Sequence, residues 1–276
     1  MTPERKDLLV SLREDALADL QRQAPIAFCP YNLCGKRVGF MLTDEVVGFC
    51  APGGGLLAPR VDRPIPDQIL RMLVETNQFA HECVLHNAPM LSVQDTHEED
   101  QVEYQYPRHC VRGTGEENLV EMLAWLNDHP LAMKLRKNCI NAVIGATRTG
   151  GLNLLYDWVN REGIETLVCG GICTDICVAA KVGAMLSARM LILGDGSKLM
   201  PTLRDVVVYE PACATFDLPV EEALELGLPA TAAHPQDIAH HIGLWTMQAQ
   251  GAILANKLAW GDRASNAKTL HSGVAR

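Results

Sequence analysis

The hydrophobic pattern of the chain alternates between two periods. Residues 38–43, 90–94, 166–170, 190–193 and 206–209 are short apolar runs, the signature of strands buried on both faces. Between and around them lie stretches with apolar residues at helical spacing: 66–86, 116–127, 152–161 and 174–188. Residues 4–23 predict an amphipathic helix and 234–258 a long terminal one. Residues 139–144 fit a strand or a loop equally well. Residues 24–36 read as an irregular connection, with Pro25, Pro30 and Gly35. This divides the chain into an N-terminal helical extension (1–36), one main domain (37–260) and a loose polar tail (261–276). Strands alternating with helices predict an α/β fold, a mostly parallel sheet covered on both faces. Ligands of such sheets bind at the carboxyl ends of the strands. Asp44, Asp95 and the turn spanning 170–177 all fall at such ends.

Composition narrows the function. A chain of 276 residues, 48% of them apolar, buries a substantial core. A net charge of −9 argues against nucleic acid or an anionic membrane as partner. No apolar run is long enough for a membrane helix. The ten cysteines are scattered through strand-like segments, which suits reduced thiols in a cytoplasmic protein better than a disulfide framework. Cys173 and Cys177 have no second Cys or His pair nearby to complete a zinc site.

The segment from Thr166 to Leu186 carries the first chemistry. An apolar strand runs into Gly170-Gly171, and Thr174 is placed to cap a helix whose first turn holds Cys177. A thiol there meets free N–H groups and the positive end of the helix dipole, which favour a thiolate and an adjacent oxyanion. A cysteine on a buried helix face is more often a small apolar filler, and Cys173 is a rival nucleophile. Gly171-Ile172-Cys173-Thr174-Asp175-Ile176-Cys177-Val178 resembles the nucleophile segment of the isochorismatase-like cysteine hydrolases. That resemblance implies a three-layer, Rossmann-like fold with six strands, Cys177 as nucleophile, a cis peptide bond before Cys173, and an oxyanion hole from the N–H groups of Cys173 and Cys177.

The same resemblance assigns further residues. Asp44, five residues before Phe49, matches the family's general base, although Val46 stands where many relatives carry Gln. Lys137 is the best match to the triad lysine. Asp95-Thr96-His97 with Tyr106-Pro107-Arg108-His109-Cys110 resembles the metal region of the nicotinamidases within the superfamily, and the distal stretches 206–219 and 233–236 resemble the plant-type ones. Three such ligands, Asp95, His97 and His109, suit zinc, with iron or manganese as alternatives, and leave positions open. Glu103 or water stands where some relatives have a fourth ligand. Phe49 and Tyr106 are implied as walls for a pyridine ring. The activity implied is hydrolysis of nicotinamide to nicotinate in NAD salvage, by a homo-oligomer. Two alternatives stay open: the same machinery acting on another pyridine carboxamide, maleamate or a ureido acid, and a catalytically idle scaffold relative.

Overall fold

The computed structural model describes residues 3–261, apart from 102, 104 and 105. Its centre is a parallel sheet of seven strands: β1 (Cys29–Asn32), β2 (Val38–Thr43), β3 (Met90–Asp95), β4 (Ala132–Lys137), β5 (Thr166–Ile172), β6 (Asp205–Ala214) and β7 (Ile253–Ala259). Their order is β1-β7-β6-β5-β2-β3-β4, every neighbouring pair parallel. Eight α-helices accompany it: α1 (Pro3–Gln23), α2 (Val47–Cys50), α3 (Asp67–Leu85), α4 (Ala142–Gly145), α5 (Leu154–Arg161), α6 (Ala179–Met190), α7 (Val220–Glu225) and α8 (Gln236–Ala249).

Alternation along the strands sorts the core into two layers. Met41, Leu91, Leu167, Val206 and Val208 face α5, α6 and α8, where Trp158 and Met185 are buried. Phe40, Leu42, Val168 and Val207 face α3, with Ile69, Met72 and Phe79. Strands β2, β3 and β5 are buried along their whole length, which explains why their sequences are near-continuous apolar runs.

The sheet has one strand more than expected, and the differences lie at its margins. β1, inside the stretch read as irregular, has the sequence Cys-Pro-Tyr-Asn and pairs only with β7 at the sheet edge. β4 is the opposite edge, and only Leu135 and Lys137 in it are buried, so no apolar run marked it. Residues 190–193, expected as a strand, instead end α6 and enter a loop where Ile192 makes one isolated bridge to Lys198. Met190 and Ile192 are exposed there, so the apolar run reflects no buried strand. The expected helix at 116–127 is a 3-10 turn, Glu121–Asn127. Residues 139–144 lead into α4, whose first N–H groups are capped by the Asn141 side chain. The long terminal helix breaks in two: α8 ends at Ala249 and β7 follows. Gly251, at φ 100°, donates to Gln248 O while Ala252 donates to Met247 O, a Schellman closure that turns the chain back into the sheet. The tail beyond Gly261 lies outside the described residues.

Connections leave β2 toward β3 and β4 on one side and reach β5, β6 and β7 on the other. The topological switch point therefore lies between β2 and β5, and the crevice above their carboxyl ends is where such sheets bind ligands.

Candidate active site

Four strand ends deliver the site. Asp44 follows β2 directly, Asp95 ends β3, Lys137 ends β4, and the loop after β5 runs through Cys173 to Cys177. Asp95 and Lys137 are register partners across β3 and β4, which aims both side chains toward the same end of the sheet.

Asp44 is fully buried and takes the left-handed backbone conformation at φ 58°. Its N–H donates to Val93 O and its own carbonyl accepts from Val46 N, so the turn is held from both sides. Lys137, also buried, places Nζ 2.9 Å from Asp44 Oδ2, 2.7 Å from Asp95 Oδ1 and 3.9 Å from Cys177 Sγ. The Asp44 carboxylate thus forms an ion pair with Lys137 and interacts with the Cys177 side chain. Burial raises the Asp44 carboxyl to about 6, against the pull of Lys137. Burial works against the Lys137 charge, but Asp44, Cys177 and Asp95 outweigh it and hold its pKa well above the ordinary lysine value. Burial likewise pushes the Cys177 thiol up, more than Lys137 draws it down. The segment Thr174–Val178 is a single π-turn, and α6 proper starts only at Ala179. The Ile172–Cys173 peptide bond is cis. Cys173 itself is buried and its thiol is pushed up to about 12, mainly by burial.

Beside Lys137 lies a second cluster. Asp95, His97 and His109 are all buried, with their ligand atoms within 4.8 Å of one another. Asp95 Oδ2 is 2.9 Å from His97 Nε2 and 3.1 Å from His109 Nε2. His109 Nδ1 lies 2.7 Å from Pro107 O, which fixes its proton there and leaves Nε2 free to coordinate. One carboxylate and two imidazoles fit a divalent ion such as zinc. Glu103 Oε2 is 3.8 Å from His109 Nε2, on the same side.

A cleft opens over both clusters. Phe49 and Tyr106 line it, as do Asp95, Lys137 and Cys177. Leu57, Ile140, Ile176 and Phe216 add apolar walls that motif reading did not single out. Phe216 is stacked on His234, ring centroids 3.9 Å apart. His234 reaches Phe216 O through Nδ1 at 2.9 Å and Asp175 Oδ2 through Nε2 at 2.8 Å. Two acceptors require two donors, hence an imidazolium. Burial opposes that charge, but Asp175 outweighs it and raises the His234 pKa.

The Isochorismatase domain family matches residues 43–224. The chain belongs to that family. Nicotinamidase 1 of Arabidopsis thaliana is 39% identical over 225 residues, covering 82% of this family member and 88% of the relative. Among solved structures, PnC1 from L. infantum in complex with nicotinate covers 84% of this chain and 99% of its own, with a TM-score of 0.58 at 17% identity. The pyrazinamidase of Pyrococcus horikoshii in complex with zinc covers 79% and 98%, with a TM-score of 0.53 at 16% identity. Both share its fold. All nine residues singled out from the sequence of this isochorismatase-family chain (Asp44, Phe49, Asp95, His97, Tyr106, His109, Lys137, Cys173 and Cys177) come together at one end of the sheet.

Two buried charges near the site had gone unmarked: Glu45 and Lys181. Lys181 stands between Ala180 and Val182 and Glu45 beside the charged Asp44, and neither position carries a sequence signal of its partners.

Proposed function

We propose that this amidohydrolase cleaves the carboxamide of nicotinamide, giving nicotinate and ammonia, through a thioester on Cys177. One observation carries the reading: Lys137 Nζ joins Asp44, Asp95 and the Cys177 sulfur within 3.9 Å, coupling a nucleophile–base pair to a metal-type cluster under one apolar-walled cleft.

Chemistry follows from the charges. Burial pushes the Cys177 thiol up, so attack needs a base, and Asp44 sets its carboxylate against both the thiol and Lys137. Asp44 takes the Cys177 proton as sulfur adds to the carboxamide carbon. Lys137 stabilises the ionised forms of both. The N–H groups of Cys173 and Cys177 receive the oxyanion. Asp44 then returns the proton to the departing nitrogen, the C–N bond breaks, and ammonia leaves a thioester. Water, deprotonated by Asp44, adds to the thioester; sulfur leaves and regains a proton as nicotinate forms. Asp95, His97 and His109 would hold a divalent ion, which would supply Lewis-acid polarisation beside the ring. Phe49 and Tyr106 flank the ring, with stacking worth about 1 kcal/mol per face.

The comparison of nicotinamide with maleamate, an acyclic amide, tests the substrate. The apolar walls and the metal cluster predict kcat/KM for nicotinamide at least about a hundredfold higher. Equal turnover of the two would refute a ring-specific site.

A further inference from the structure

Lys181 is fully buried on α6, one turn beyond Cys177, in a region that otherwise holds Val178, Val182 and Met185. A buried ammonium is costly unless its protons are satisfied. Here three acceptors meet it. Nζ donates to the Thr43 hydroxyl, to Met41 O at 3.4 Å and to Gly170 O at 3.3 Å.

These acceptors are not scattered. Met41 and Thr43 end β2, and Gly170 lies near the end of β5. The β2–β5 ladder runs from Val38 with Thr166 to Met41 with Cys169 and stops there. The β5–β6 register also shifts between Cys169 and Gly171. Lys181 therefore bonds carbonyls where the ladder gives out, across the switch point. The next residues on the two chains are Asp44 on one side and the Gly171–Cys173 turn on the other. Gly171 shows how tightly the two are set: a Cβ there would lie 2.1 Å from Thr43 O.

A buried carboxyl lies nearby as well. Glu45 is fully buried, accepts from Thr76 Oγ1 at 2.9 Å, and leaves Oε2 without a hydrogen-bond partner among the described residues. Burial pushes its carboxyl well up, and Thr76 and then Lys181 draw it back only in part.

We propose that Lys181 is a positioning residue for the hydrolysis: through its three hydrogen bonds it clamps the ends of β2 and β5 and so fixes Asp44 against the Cys173–Cys177 turn. The proposal rests on the reading of Asp44 and Cys177 as the reacting pair. It assigns Lys181 no contact with substrate, so its loss acts on turnover and not on binding.

The test measures kcat and KM for nicotinamide, together with Tm, in the full-length protein. Lys181→Met is expected to lower kcat at least about tenfold, because small misplacements of reacting groups are expensive, with KM within about threefold. It also lowers Tm, because Thr43 Oγ1 and the carbonyls of Met41 and Gly170 lose their buried donor. Measured well below the variant's Tm, where the protein is folded, kcat stays low. Recovery of kcat at such temperatures would overturn the positioning role in favour of plain stability. So would a kcat in Lys181→Met within about twofold of wild type. If Lys181→Met does not fold, Thr43→Val removes one acceptor without altering charge; it is expected to lower kcat about threefold at unchanged KM, and an unchanged kcat overturns the proposal. Cys177→Ala runs in parallel. An active Cys177→Ala would refute the underlying reading; an inactive one beside a fully active Lys181→Met refutes the clamp alone.

Discussion

At Asp44, three demands meet in one side chain: burial, a left-handed backbone and a lysine 2.9 Å away. Burial disfavours the charge and Lys137 restores much of it, which sets the carboxyl at about 6. The working form is the ionised base. Protonation removes it, so kcat/KM should fall about tenfold per pH unit below about 6 and level off above. Asp44→Asn should lower kcat by roughly 10²–10⁴ and abolish that acid limb in whatever activity remains. An acid limb unchanged in the variant would assign the titration to another group. The type and spacing of Asp44, Asp95, His97, His109 and Cys177 were legible in the chain because each stands beside a motif of fixed spacing. Lys137 was legible only through its neighbours, and its role as bridge between two carboxylates is visible only once β3 and β4 are in register. Glu45, Lys181 and Phe216 were not legible at all. A single charged or aromatic residue in an apolar stretch gives no hint of which distant strand it will meet.

Elements buried on both faces announced themselves, and edge elements did not. β2, β3 and β5 are continuous apolar runs because both faces of the sheet are covered. β1 and β4 each lack a neighbour on one side and bury few residues, so their hydrophobic signal is weak. The misread terminal helix has a different cause. The periodicity of α8 runs on into the mixed pattern of β7, and only Gly251 marks the break. At φ 100° this glycine occupies a conformation that any other residue resists. Gly251→Ala should cost about 1–2 kcal/mol, seen as a lower denaturation midpoint at unchanged KM, since the turn is remote from the cleft. A neutral substitution would show that β7 does not depend on this closure.

For the whole molecule, the arrangement of the sheet explains why the chemistry sits where it does. The chain returns from β4 to lay β5 on the far side of β2, which opens a crevice at the one place where loops from adjacent strands diverge. Cys177, Asp44, Lys137 and the Asp95–His97–His109 cluster come from four strand ends and converge there, although they span residues 44 to 177 in sequence. Among the described residues no helix is long and apolar enough to cross a membrane. The alternation of strand and helix made this architecture readable, while the strand order was not, because pairing depends on contacts between distant segments. The proposed cleavage of nicotinamide by Cys177 is tested by ammonia release from nicotinamide with the wild-type protein and with Cys177→Ala. Release by the wild type and a loss of at least about 10³-fold in the variant are expected. Release that survives the substitution would refute Cys177 as the nucleophile and move that role to Cys173 or to a water in the cleft.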